Sequence, residues 1–182
     1  MLSREEAWRI LETAEPVVSA AQIDETVRRL AEEITARVAD VCPLVVSVMG
    51  GGVVFTGRIL PLFNFPLELD YVHVTRYGQG LSGGEVEWVV RPRTPVQDRV
   101  VLVLDDILDA GNTLAAIREG LLGAGARVVY SAVFAEKDTG KHKPISADFV
   151  GVRLPNRYVF GFGMDVRGAW RNLPGIYALK RS

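Results

Sequence analysis

Residues 100–113, Val-Val-Leu-Val-Leu-Asp-Asp-Ile-Leu-Asp-Ala-Gly-Asn-Thr, limit the possible folds more than any other stretch of the chain. Five apolar residues with no polar one among them read as a strand buried on both faces, which places it at the centre of a parallel sheet. The run stops abruptly at Asp105, Asp106 and Asp109. In open parallel sheets ligands bind outside the carboxyl ends of the strands, so these three carboxylates stand where a ligand belongs. Ala110-Gly111-Asn112-Thr113 then opens a helical pattern, Leu114, Ile117, Leu121 and Leu122, whose first N–H groups form a cup for a phosphate. Acid pair, third acid and phosphate cup together point to a phosphorylated, cationic or metal-bound ligand. The same residue types also serve an ordinary strand-to-helix turn in which Asp109 or Asn112 merely caps the helix, and the residues alone leave that alternative open.

The rest of the chain reads as one α/β domain over residues 1–182. Ile23, Val27, Leu30, Ile34 and Val38 recur at helical spacing with Arg28, Arg29, Glu32, Glu33 and Arg37 opposite them. Leu44 to Met49 is a second buried strand, broken by Gly50-Gly51-Gly52 and followed by a short helical run, Val53 to Leu62. Leu67 to Thr75 alternates as a strand does, and Glu85 to Arg91 resumes a strand pattern. Between them Arg76 to Gly84 holds four glycines in nine residues, the composition of a mobile, lid-like loop. Arg127 to Ala135 is another strand, and Glu136 to Lys143 a polar loop. Phe149 to Val152, Tyr158 to Phe162 and Ile176 to Leu179 are short strands. Helices over a largely parallel sheet, with a small hood made by the terminal segments, is the expected architecture: a core of about 21–152 and a hood from about 1–20 and 153–182.

Composition narrows the function classes. A net charge of −1 leaves no footprint for bulk nucleic acid or an anionic membrane. No apolar stretch approaches the roughly 20 residues of a membrane span, and the first residues are charged and helix-like, with Ser3 and Glu6 spaced as a capping box. Cys42, the only cysteine, permits no intramolecular disulfide and reads as a small apolar residue. A cytoplasmic enzyme or regulator is the expectation.

The run 100–113 resembles the phosphoribosyl-diphosphate (PRPP) signature of the type I phosphoribosyltransferases, and Asp109 makes it most similar to the hypoxanthine-guanine branch. The resemblance extends from about the second helix to the C-terminus. It implies the type I phosphoribosyltransferase fold and a Mg²⁺-dependent transfer from PRPP to N9 of hypoxanthine or guanine, giving IMP or GMP and pyrophosphate. On this resemblance Asp105 and Asp106 lie along the ribose hydroxyls and help to hold Mg²⁺, two tasks suited to carboxylate oxygens. Asp109 faces N7 of the purine and takes its proton, while Asp109, Ala110, Gly111, Asn112 and Thr113 hold the 5′-phosphate. Lys137 donates to the exocyclic O6, which favours a 6-oxo over a 6-amino group. In Arg157-Tyr158-Val159-Phe160-Gly161-Phe162-Gly163-Met164-Asp165, Tyr158 stacks on the purine, Val159 meets its 2-position through the main chain, and Asp165 joins the Mg²⁺ shell. Arg171 binds pyrophosphate with its planar fork of donors. Lys141, His142 and Lys143 read as solvated loop charge.

Two places depart from the family pattern. The pyrophosphate loop, often a Lys-Gly pair, is here Met49-Gly50-Gly51, with Gly50 in the lysine register and backbone N–H groups in place of a charge. The flexible loop begins Arg76-Tyr77 where Ser-Tyr is usual; Tyr77 is expected to close over the reaction centre and Arg76 to add the cation that Gly50 lacks. Two readings of other kinds share these residues. One is a xanthine-preferring enzyme, and the other a non-catalytic regulator of this fold that binds RNA, which would need a basic face. Relatives of this type commonly form dimers or tetramers, and the N-terminal helix is available for such an interface.

Overall fold

A computed structural model describes residues 2–76 and 86–180. The chain runs through α1 (Arg4–Thr13), β1 (Glu15–Val18), α2 (Ala20–Val38), β2 (Leu44–Met49), α3 (Gly52–Ile59), β3 (Glu68–Arg76) and β4 (Val86–Val90). It continues through β5 (Val100–Leu108), α4 (Asn112–Gly123), β6 (Val128–Asp138), β7 (Phe149–Pro155), β8 (Val159–Phe160) and β9 (Ile176–Ala178). Six strands form the main sheet in the order β4-β3-β2-β5-β6-β7, all parallel except β4, which pairs antiparallel on the edge. The terminal segments make a separate three-stranded sheet, β1-β9-β8, and this is the hood.

β5 lies at the centre because both of its faces are covered. Leu102 and Leu104 pack with α2 and α3, whereas Val101 and Val103 pack with α4, and all four are fully buried. α2 starts on a complete capping box, in which Ser19 Oγ accepts from Gln22 N–H and the Gln22 side chain accepts from Ser19 N–H. Its buried stripe, Ile23, Val27, Leu30, Ile34 and Val38, is the one that the helical periodicity predicts. The box at Ser3 and Glu6 likewise starts α1. The hood is fastened to the core by Phe162, whose ring lies 4.5 Å from Phe134, which in turn meets Phe55 at 5.8 Å. α1 docks on the hood through Trp8 and Trp170, edge to face at 5.0 Å, and Trp170 Nε1 donates to the carbonyl of Ala7.

Three local expectations are corrected, and the expected strand β3 proves to carry apolar residues on both faces. β6 does not stop at Ala135 but continues to Asp138, because its last residues still pair with Glu136↔Arg153 and Lys137↔Leu154 on β7. Tyr158 to Phe162 is a strand only at Val159–Phe160; Gly161 then bridges to Met164 in a tight turn. Cys42 is exposed rather than apolar filling, since it ends a 3-10 turn in the left-handed region, at φ 44°. The apolar residues of β3 divide between its faces: Val72 is buried, but Leu69 and Tyr71 remain 54% and 44% exposed. The loop residues Tyr77 to Glu85, with the lid role expected of Tyr77, lie outside the described residues, as does the side chain of Arg76.

Candidate active site

The ends of β2 and β5, the start of α4 and the hood segment enclose a cavity of about 320 Å³ whose lining includes Met49, Gly51, Asp105, Asp106, Asp109 and Arg171. Thr113 also lines it. The parallel register explains the convergence. Leu44 to Ser47 on β2 pair with Val101 to Leu104 on β5, so the Gly50-Gly51 turn arrives beside the acids that follow Leu104. The Met49–Gly50 peptide is cis. A Cβ on Gly51 would fall 1.8 Å from Asp106 Oδ2, so only glycine lets this loop lie against that carboxylate. A Cβ on Gly50 would meet nothing within 4 Å.

Asp105 is buried and Asp106 half-buried. Burial pushes Asp106 above the ordinary aspartate range, and this outweighs the hydrogen bonds and the Arg171 charge that act in the opposite direction. Ile107 N–H donates to Asp106 Oδ1 at 2.8 Å, and Asp106 N–H to Asp105 Oδ1 at 2.9 Å. Gly111, at φ 87°, then reverses the chain into α4, and a Cβ there would be strained as well as crowded by Pro144. Ala110 and Asn112 face an adjoining cavity of about 380 Å³ that also touches Asp109, Lys141 and His142.

Two ion pairs organise the remaining residues. Lys137 Nζ lies 2.7 Å from Asp109 Oδ2, the lysine side chain 12% exposed and the aspartate side chain 47%. Arg171 binds Asp165 at 2.6 Å with one guanidinium nitrogen and donates to the Gly163 carbonyl at 2.6 Å with the other. Asp165 also accepts from Gly168 N–H, which holds the hood turn. Tyr158 is 52% exposed and its hydroxyl donates to the Asp165 carbonyl, while Val159 is buried on β8. Asp105, Asp106, Asp109, Thr113, Met49, Gly51 and Arg171 therefore share one cavity. Lys137 reaches it through Asp109, and Asp165 through Arg171.

The solvated-loop expectation fails at Lys143. Its side chain is only 12% exposed and its ammonium is fully engaged by protein acceptors. Nothing in the local sequence separates it from Lys141, which is exposed, because its acceptors are largely main-chain carbonyls brought in by tertiary structure. The Trp8–Trp170 contact is equally invisible, since the two rings stand 162 positions apart in the chain.

Residues 19–167 match the phosphoribosyl transferase domain family. A hypoxanthine-guanine phosphoribosyltransferase of Bacillus subtilis is 33% identical over 165 residues, covering 90% of this chain and 92% of the relative. This chain belongs to the hypoxanthine-guanine phosphoribosyltransferase family. It spans about a quarter of the length of the bifunctional TilS/HprT protein of Listeria innocua, with 35% identity over that part. Among solved structures, a hypoxanthine phosphoribosyltransferase of Staphylococcus aureus superposes with a TM-score of 0.89 at 25% identity, covering 94% of this chain and 95% of its own. A hypoxanthine-guanine-xanthine phosphoribosyltransferase gives 0.83 at 29%, covering 93% and 99%.

Proposed function

We propose that this protein is a purine-salvage enzyme which transfers the 5-phosphoribosyl group of PRPP to N9 of hypoxanthine, and of guanine, releasing IMP or GMP and pyrophosphate. The observation that carries this reading is the Asp109–Lys137 pair standing just beyond the acids of β5. A 6-oxopurine entering there presents an N7–H to a carboxylate and an O6 to an ammonium. An adenine would turn its amino group toward that same ammonium, leaving buried donors facing each other.

In the transfer, the bond between the anomeric carbon and pyrophosphate breaks as the N9–C1′ bond forms, and the N7 proton passes to Asp109. Asp105 and Asp106 accept from the ribose hydroxyls and offset the positive charge that develops on the sugar. Arg171 and the backbone N–H groups of Met49 to Gly51 take the leaving pyrophosphate, and the turn from Asp109 to Thr113 holds the 5′-phosphate. Tyr158 supplies a face for the purine, and Val159 meets its 2-position. Opening the Asp165–Arg171 pair frees the guanidinium for pyrophosphate and the carboxylate for a cation.

Mg²⁺ suits this donor set. The acids Asp105, Asp106 and Asp165 are hard oxygen donors, yet among the described residues no three acid, His or Cys side chains converge into a cage. These carboxylates would hold Mg²⁺ together with substrate phosphates, and the bound ion would offset the charge of the leaving pyrophosphate.

The deciding experiment is product formation from PRPP and Mg²⁺ with hypoxanthine, guanine, xanthine, adenine and uracil in parallel. IMP formation, and no AMP, is the expected result; turnover of adenine or uracil in preference would overturn the reading. Xanthine is included because one structural relative carries it in its name. The G50K variant tests the altered pyrophosphate loop: with open space at that Cβ, the added ammonium is expected to tighten inhibition by pyrophosphate. An R76A variant with unchanged kinetics would dismiss Arg76 as the compensating cation.

We further propose a cytoplasmic homodimer or homotetramer. No helix among the described residues is long and apolar enough to cross a membrane. Leu69 and Tyr71 offer exposed apolar surface on one face of β3 for a second copy. Light scattering on the purified protein separates these assemblies from a monomer.

A further inference from the structure

Lys143 carries a largely buried ammonium that the chemistry outlined above does not use. Its Nζ donates to the Lys137 carbonyl at 2.7 Å, the Leu108 carbonyl at 3.2 Å and Glu136 Oε1 at 3.2 Å. Three protons meet three acceptors, so the group is fully satisfied. A buried ammonium is costly unless it is paired in this way, and the half-buried Glu136 carboxylate supplies the counter-charge.

The acceptors are not scattered. β5 and β6 remain in parallel register up to Leu108↔Glu136, after which β5 turns away into Asp109 while β6 runs on through Lys137. Lys143, on the segment that returns after β6, ties those strand ends together where their own ladder finishes. One acceptor is the main chain of Lys137 itself, and another is the carbonyl of the peptide that leads into Asp109. The two backbones so pinned carry the side chains that meet at 2.7 Å.

We propose that Lys143 is a positioning residue for purine recognition, setting the separation of Asp109 and Lys137 without touching the base. The inference rests on the reading of that pair as the purine's N7 and O6 partners. Displacing either group by about 1 Å is enough to cost on the order of 100-fold where geometry is exacting. The effect falls chiefly on the base half of the site: two of the three acceptors, the Lys137 carbonyl and Glu136, belong to β6, and the 5′-phosphate turn is reached by these bonds only through the Leu108 carbonyl.

Steady-state kinetics of the full chain and of K143M, K143R and E136Q, varying hypoxanthine and PRPP separately, test this. For K143M we expect the hypoxanthine KM to rise roughly tenfold or more and the PRPP KM to rise at least about threefold less than that. K143R, whose guanidinium restores donors to the carbonyls, is expected to recover most of the base affinity. A folded K143M with the native hypoxanthine KM, or with equal rises in both KM values, overturns the proposal. If K143M does not fold, E136Q decides, since it keeps the ammonium and both carbonyls and removes the counter-charge, whose other partner is the exposed Arg153 at 3.8 Å. A selective rise in the hypoxanthine KM, about threefold, supports positioning, and an unchanged ratio of the two KM values refutes it. Native protein that makes no nucleotide from any 6-oxopurine would defeat the functional reading and this inference with it, whereas active native protein beside a normal K143M defeats the inference alone.

Discussion

Asp70 and Asp106 stand on strands that flank β2 on either side, and the fold treats them in opposite ways. Asp70, on β3, collects three backbone donors: Tyr71 N–H on Oδ1 at 2.7 Å, and Arg93 and Thr94 N–H on Oδ2 at 2.8 Å each. Burial alone would raise its pKa, but hydrogen bonds from Thr94, Tyr71 and Arg93 together bring it below the ordinary value. Asp106, on β5, is pressed under Gly51, and there burial prevails and the pKa goes up. The first acid is saturated by its own main chain and serves to lock the segment after β4 against β3. The second keeps a burial cost that its hydrogen bonds do not offset, which accords with the ligand-facing role proposed for it.

The largest effects are expected where this contrast meets chemistry. D109N keeps the shape of the side chain but removes the proposed proton acceptor, so kcat should fall by about 100- to 10,000-fold in the nucleotide assay. G51A comes next. Its methyl group would overlap the Asp106 carboxylate, and the displaced acid or loop should lower kcat/KM by roughly 100-fold, read in the same nucleotide assay. A G51A variant of native activity would mean that the close approach of loop and acid has no catalytic consequence, which would weaken the contrast with Asp70.

D70A reverses the pattern, changing stability and sparing activity. Losing hydrogen bonds to a charged acceptor should cost about 2 kcal/mol in urea unfolding at pH 7, with kcat unaltered. The sign of its pH dependence follows from the lowered native pKa. Stability supplied by Asp70 is present in full above its unfolded pKa, about 3.9, and disappears as pH falls through the native value. The difference between the native chain and D70A should therefore be constant from neutral pH down to about pH 5 and narrow below about pH 4.

The sequence reveals Asp106 far better than Asp70, and the reason is physical. The strand 100–108 announces itself by an unbroken apolar run, and its acids by their position at the end of it, so local pattern and site coincide. α2 and its buried stripe, and β2 with its glycine turn, are legible for the same reason. Asp70 looks like any polar residue in an alternating strand, because two of its three donors lie 23 and 24 residues away in the chain. Lys143 is hidden likewise, one cation in a polar run whose acceptors on Leu108 and Lys137 are main chain and leave no trace in side-chain identity. The site acids can be read directly, whereas the groups that hold them in place depend on contacts made only in the fold.

The smallest and most discriminating effect concerns Asp106 itself. Asparagine at this position keeps an oxygen for Ile107 N–H and removes the charge that burial disfavours. D106N should therefore be more stable than the native chain at neutral pH, by about 1 kcal/mol, while losing activity with the ribose-hydroxyl acceptor. A native pKa raised above the unfolded value means that the folded form holds its proton more tightly. The stability linked to that proton is present in full below the unfolded pKa and is lost as pH rises through the native value. The advantage of D106N over the native chain should thus be greatest at pH 7 to 8 and close as the medium is acidified toward about pH 4. D70A follows the opposite course, always below the native chain and converging on it from beneath. Melting curves of the three proteins over that range would place the two variants on opposite sides of the native curve. A D106N that melts below the native chain at neutral pH would show that the Asp106 carboxylate is as well compensated as that of Asp70.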